Sequence, residues 1–246
     1  GIGMQALLNS GKYKVMEVLH SDPSYDLCLC TDIMINTSDM VIINTYKDRK
    51  AINEYLPLYY AMNSDPIKDF RELLTEDGRI SAVFRYHPGI SFSDHYWEKK
   101  GSKPDYNESL DIAENLLLNA LEFDLVDDRI AACAICEENI TIDVAGRKIG
   151  MNLHIAPFVR PEEGFRGKRL GGMLRKMFPE DRYLPIEIRQ FIRELCAGKY
   201  PTCTAVYSRW REVIVSSGQT RKEYEKETFM QYLFRRAKEK KQLRDQ

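Results

Sequence analysis

The sequence predicts an α+β fold in two parts: an antiparallel five-stranded sheet with one helical stretch, then a shortened and mostly helical part. Three observations carry this expectation. Short β-rich segments of alternating hydrophobicity, separated by turn formers, fill the first third of the chain. Near Asn107 the hydrophobic period changes to that of a helix and stays there, apart from one small hairpin. A chain of 246 residues, 43% hydrophobic and 11% aromatic, has the material for a sizeable core.

Taken in order, Tyr13 to Glu17, Asp26 to Thr31 and Met40 to Thr45 read as strands, with turns at Ser21-Asp22-Pro23-Ser24 and Asn36-Thr37-Ser38-Asp39. After Asp48, Ile52, Leu56, Tyr59 and Tyr60 recur at helical spacing, and Pro57 is expected to kink the helix or to open a second short one. Phe70 to Leu74 and Arg79 to Tyr86 form a hairpin, because Asp77-Gly78 supplies the positive φ angles of its turn. Leu110, Ala113, Leu117, Ala120 and Leu121 line one face of a helix ending near Phe123. Ile140 to Asp143 and Ile149 to Ile155 flank Ala145-Gly146-Arg147 as a second, smaller hairpin. Pro185 suits the first position of a helix whose stripe is Ile188, Phe191, Ile192 and Leu195, and Gly198 ends it. A further helix carries Val206, Tyr207, Trp210, Val213 and Ile214, and the tail from Gln219 is helical in composition. The expected division is a first lobe at 11–90, a second at 91–215 and a basic helical tail at 216–246.

Thirty-six basic and 37 acidic side chains leave a formal charge of -1, which excludes a surface that is wholly a nucleic-acid or membrane footprint. No apolar run approaches the roughly 20 residues that span a bilayer, so the chain is expected to be soluble. Six cysteines are too few for a disulfide scaffold at this length and fit a reducing cytoplasm.

Several segments stand in the order of protein-kinase landmarks. Val41-Ile42-Ile43-Asn44 resembles the third-strand V-A-I-K motif, and Phe84 to Phe92 resembles the hinge. Glu137 to Asp143 resembles the end of the catalytic loop and its following strand. The likeness extends from about Tyr13 to Ile155 and implies a protein kinase-like bilobal fold. Its catalytic parts are then expected at definite positions, and there the sequence departs from the family.

Phosphoryl transfer needs a Gly-rich loop, a strand lysine, a catalytic Asp and an Asp holding Mg²⁺. His20 to Asp26 stands where the Gly-rich loop belongs, contains no glycine, and puts Asp22 and Asp26 near the expected phosphates. Asn44 replaces the lysine, and Ile42 on the same strand face adds bulk where the family keeps a small residue under adenine. Lys47 is expected to point to the opposite face. Glu54, the candidate for the helix glutamate, lies about 200° from Leu56 on a helical wheel and is expected to face solvent. Ala132-Cys133-Ala134 falls at His-Arg-Asp, leaving Ala134 at the general-base position. Asn139 matches the metal-binding asparagine but is expected to cap a turn. The Asp-Phe-Gly position falls within Asn152-Leu153-His154-Ile155, without an Asp.

Other constellations carry weaker signals. Cys28-x-Cys30 and Cys133-x-x-Cys136 would make a zinc site only if all four thiolates converge. Neither Cys133-x-x-Cys136 nor the four histidines stand in a redox or nucleophilic motif. Gly164 to Lys176 carries five basic residues and four glycines and reads first as a mobile, solvated loop. Arg235 to Arg244 holds six basic residues, and Arg235, Arg236, Lys238, Lys240 and Lys241 form a candidate contact for an anionic membrane surface.

The sequence therefore predicts a catalytically inactive pseudokinase, a cytoplasmic protein-interaction or scaffolding and signalling module. Its C-terminal continuation is expected to tether it to the inner face of a membrane, on a plan resembling bacterial membrane-anchored pseudokinases, including those of type VII secretion. No catalytic, cofactor-binding or metal-ligating residue, no cofactor and no nucleic-acid partner is expected. Two alternatives stand beside it: an atypical kinase or nucleotide-binding switch using displaced residues, and a zinc-binding interaction module.

Overall fold

The computed structural model describes residues 7–8, 11–33, 39–64, 67–97 and 103–245. Its strands are β1 (Leu7–Leu8), β2 (Tyr13–Ser21), β3 (Tyr25–Asp32), β4 (Met40–Tyr46), β5 (Phe70–Glu76), β6 (Arg79–Arg85), β7 (Ile90–Ser91), β8 (Ile140–Asp143) and β9 (Lys148–Met151). Its helices are α1 (Arg49–Ser64), α2 (Phe92–His95), α3 (Tyr106–Ala120), α4 (Asp128–Ala134), α5 (Phe165–Met177), α6 (Ile186–Cys196), α7 (Cys203–Glu225) and α8 (Phe229–Arg244). The chain divides into two compact units. One holds the described residues up to His95 with Glu122–Glu162, and the other holds Tyr96–Leu121 with the residues from Glu163 onward.

In the first unit all five expected strands form, and β1 adds a sixth at the edge, giving the order β1-β2-β3-β4-β6-β5. Residues 36–38 of the expected turn before β4 lie outside the described residues. The β5–β6 hairpin turns at Asp77 and Gly78, with φ of 52° and 72°, as its Asp-Gly pair requires. Alternation sorts the sheet into two faces. Tyr13, Cys28, Cys30, Val41, Ile43 and Val83 make an apolar cluster on one. Tyr25, Leu27, Ile42, Asn44, Tyr46, Ala82 and Phe84, all buried, occupy the alternate positions of β3, β4 and β6, in register Tyr25↔Tyr46, Leu27↔Asn44 and Asn44↔Ala82.

Helix α1 departs from expectation in two ways. It is continuous through Pro57, because Pro57 and Asn53, whose carbonyl loses its amide partner, are both on the exposed side. Its buried face is Ala51, Tyr55, Tyr59 and Met62, not the stripe through Leu56 and Tyr60, and Tyr60 is exposed. A wheel ranks faces by apolarity alone, whereas here the tyrosines that can both fill space and hydrogen-bond go inward. The small sheet β7-β8-β9 completes this unit. β9 ends at Met151, short of the expected Ile155, because the next residues give their backbone groups to side chains of the large sheet.

In the second unit the segment Gly164 to Lys176, expected as a mobile loop, is the body of α5. Gly167 and Gly171 are contact surface. A Cβ on Gly167 would lie 2.2 Å from the Tyr200 carbonyl oxygen, and one on Gly171 2.8 Å from Leu195 Cβ. Tertiary packing thus overrides the poor helix propensity of glycine. Glu114 on α3 accepts from Trp210 Nε1 at 2.6 Å and from the Tyr207 hydroxyl at 2.8 Å, which fixes α3 to α7. The tail helix α8 is docked through a nearly dry ionic cluster: Glu239 accepts from Arg189 at 2.7 Å and from Arg235 at 3.1 Å, and Arg189 and Glu239 are each about 5% exposed.

Candidate functional site

The residues aligned with kinase catalytic parts all lie in the first unit, around the face of the sheet that carries Asn44. Asn44 is fully buried. Its Nδ2 donates to the Leu153 carbonyl at 2.8 Å, and its Oδ1 accepts the Ile155 amide at 2.7 Å and the Tyr25 hydroxyl. The amide oxygen and nitrogen are therefore both engaged, by the segment expected to hold Asp-Phe-Gly and by the first residue of β3. Two more side chains bind the same segment. The Tyr46 hydroxyl donates to the Ile155 carbonyl at 2.7 Å, and the Tyr55 hydroxyl donates to the Ala156 carbonyl at 3.2 Å. Leu153 to Ala156 is stapled to the sheet and to α1 at four backbone groups.

The staple is built from tyrosines stacked side by side. Tyr25 and Tyr46 rings are 5.6 Å apart, Tyr46 and Tyr55 5.1 Å and nearly parallel, and the Tyr46 and Tyr59 hydroxyls meet at 2.6 Å. Burial pushes Tyr25, Tyr46 and Tyr59 well above the usual tyrosine range and Tyr55 up to about 12, so all four remain neutral at physiological pH. Burial also lowers His154, which is therefore held toward the neutral form. Ile42, beside Asn44, is fully buried.

The loop that replaces the Gly-rich turn satisfies itself. Asp22 accepts from the Ser24 amide and hydroxyl at 2.8 Å each and from the Tyr25 amide at 2.9 Å, with the His20 imidazole 2.7 Å away. The bond with His20, then those with Ser24, hold its carboxyl below the usual range. Lys47 is paired with Asp26 at 2.8 Å.

Glu54 does not face solvent. Its carboxylate is about 12% exposed and meets Arg160 at 2.7 Å and Arg129 at 3.2 Å, two arginines on segments far along the chain. Burial raises its pKa, but the arginine hydrogen bonds outweigh this and hold it below the ordinary value. Ala134 ends α4, buried. The Asn139 amide donates to the Cys133 carbonyl at 2.8 Å, so it braces the turn between α4 and β8. Asn152 ties down the hinge: Oδ1 accepts the His87 amide at 2.8 Å and Nδ2 donates to the His87 carbonyl at 3.0 Å.

Cys28 and Cys30 lie in the apolar cluster on the other face of the sheet, Cys133 donates to the Arg129 carbonyl, and Cys136 to Glu138. Among the described residues no group of three or more His, Cys, Asp or Glu is placed to hold a metal ion, so the four cysteines do not form the donor set a zinc site needs. In the tail, Lys238, Lys240 and Lys241 are exposed. Arg235 is turned inward to Glu227 and Glu239, and Arg236 reaches Glu180 at 3.4 Å, so these two are not part of the outward basic face expected from the sequence. No helix is long and apolar enough to cross a membrane among the described residues.

The sequence reading gave no part to Tyr25, Tyr46 and Tyr55, placed Tyr59 only on a helical stripe and placed Asn152 only within the Asp-Phe-Gly position. One signal was available: tyrosines recur at core-facing positions where aliphatic residues would serve packing alone, and buried hydroxyls need partners.

No family model and no curated protein matches the sequence. Solved structures do match. The kinase domain of Mycobacterium tuberculosis PknI aligns at 11% identity over 85% of this chain and 98% of its own, with a TM-score of 0.56. A single-substitution mutant of that kinase domain aligns at 12% identity over 88% and 98%, with a TM-score of 0.54. A pseudokinase solved in its apo form aligns at 13% identity over 82% and 89%, with a TM-score of 0.51. With the sheet order and the helical second unit, these likenesses establish that the chain has a protein-kinase-like α+β fold.

Proposed function

We propose that this domain is a pseudokinase: it transfers no phosphate, and it serves as a cytosolic interaction or scaffolding module held near the inner face of a membrane. The observation that carries the reading is Asn44. At the position of the phosphate-anchoring lysine stands a neutral amide whose oxygen accepts from Ile155 and Tyr25 and whose nitrogen donates to Leu153. The glutamate that would pair with that lysine is engaged by Arg129 and Arg160 instead. Lys47, the cation nearest in sequence to Asn44, is held by Asp26, which argues against a kinase working through displaced residues. Calorimetric titration with Mg²⁺-ATP tests the reading: no heat of binding is expected up to millimolar nucleotide, and a micromolar Kd would overturn it.

A further inference from the structure

Helix α8 is attached to its unit on one side. Glu239 and Leu243 are buried, and Arg235 and Arg236 are drawn to acids. At about 100° per residue, the residues left outside share an arc of about 220°, with Gln231 and Gln242 at one rim. Its first turns carry Phe229, Met230, Leu233 and Phe234, exposed by 61%, 59%, 43% and 72%. Its last turns carry Lys238, Lys240, Lys241 and Arg244, all exposed. The one acid in the helix, Glu239, points inward.

Four large apolar side chains exposed within six residues exceed the scattered exposure of an ordinary surface. The geometry points to an anionic lipid surface as the partner of this face. The helix lies along the headgroup plane, with Phe229, Met230, Leu233 and Phe234 entering the acyl boundary and the four cations meeting lipid phosphates. Charge excludes a second copy as the better occupant. Parallel pairing sets cations against cations, and antiparallel pairing sets the apolar half against the cationic half. A protein partner anchors its affinity in pockets ringed by paired polar groups. This face is the outer side of a helix, and its only charged groups are cations, with the exposed amides Gln231 and Gln242 at its rim, so a fluid anionic plane that needs no register fits it better.

The inference rests on the membrane-proximal part of the reading above and not on the loss of catalysis. Cell fractionation reads location independently, so a failure on vesicles removes the lipid-binding face alone. The test is co-sedimentation of the full chain with vesicles of phosphatidylcholine alone or mixed in equal parts with phosphatidylglycerol. Partition onto the mixed vesicles is expected to exceed that onto phosphatidylcholine at least about tenfold and to fall with salt. K238E/K240E/K241E is expected to lower it at least about a hundredfold. F229S/F234S is expected to lower it at least about tenfold, with Met230→Gln as a milder second variant and thermal midpoints confirming that each folds. Equal partition onto both vesicle types, or full binding by F229S/F234S, overturns the inference. So does a dimer in solution that F229S/F234S dissolves while no vesicle binds.

Discussion

Replacing Asn44 by leucine is the sharpest test of the staple, since the two side chains are similar in size and the change removes polarity with little change in packing. Three groups would lose their partner: the Leu153 carbonyl, the Ile155 amide and the Tyr25 hydroxyl. Each buried group left unsatisfied costs about 1–3 kcal/mol. Partial relaxation of the flexible Tyr25 hydroxyl leaves a total of about 3–5 kcal/mol, a large share of the roughly 5–15 kcal/mol that holds a domain folded. Urea unfolding followed by circular dichroism measures the loss, and hydrogen exchange at the Ile155 amide localises it. Tyr25→Phe removes one of the two bonds to Oδ1 and should cost about 1 kcal/mol. The double variant should cost less than the sum, because the Tyr25 hydroxyl has no partner left to lose once Asn44 is gone. A loss below about 1 kcal/mol for Asn44→Leu, with Ile155 exchange unchanged, would refute the claim that this amide clamps the segment.

Glu54→Gln should cost about 1–2 kcal/mol at neutral pH by weakening the contacts with Arg129 and Arg160. Because the folded-state pKa is depressed, the contribution is full above the ordinary value near 4.5 and is lost as pH falls through the lower folded value. The stability gap between wild type and variant should therefore close in acid, and a gap independent of pH would contradict the assignment. Gly167→Ala forces a Cβ to within 2.2 Å of the Tyr200 carbonyl and should lower stability by more than about 2 kcal/mol. Gly172→Ala, with open space around its Cβ, should raise it by about 0.5–1 kcal/mol. Thermal melts of the two variants decide whether close packing or helix propensity governs α5. Glu239→Gln uncouples Arg189 inside the unit and should cost about 3–5 kcal/mol, read from urea unfolding; a loss under about 1 kcal/mol would make the cluster incidental.

The strands were legible because alternation and the Asp77-Gly78 turn are local signals, and the shared face of Ile42 and Asn44 follows from the period of a strand. What escaped was decided by partners distant in sequence. Glu54 meets arginines 75 and 106 residues away, so a wheel drawn on α1 alone placed it in solvent. The staple escaped because most of its partners are backbone carbonyls and an amide, which every residue has and no composition reveals. The glycines of α5 misled in the opposite direction. Local propensity reads them as breakers, while their use at Gly167 and Gly171 is to let Tyr200 and Leu195 come close.

The exchange of lysine for asparagine at this position changes more than a charge. A lysine there leaves a cation that a ligand's phosphates complete, so the site is stabilised by being filled. An asparagine offers one donor edge and one acceptor edge, and these match the Leu153 carbonyl and the Ile155 amide two residues apart, much as a neighbouring strand would. The segment is then complete without a ligand. On the proposed reading, a triphosphate placed as in the family would meet the bonds of Asn44, Tyr46 and Tyr55 to Leu153–Ala156 and the carboxylates of Asp22 and Asp26, with Lys47 already paired. On that reading, loss of catalysis and closure of the site are thus one structural event. That makes Asn44→Lys the discriminating reversal: it restores the family's cation but inserts a desolvated ammonium into a neutral tyrosine cluster. It should destabilise the unit by several kcal/mol and still bind no Mg²⁺-ATP in calorimetry. Micromolar binding by that variant would mean the pocket was merely disarmed and never closed.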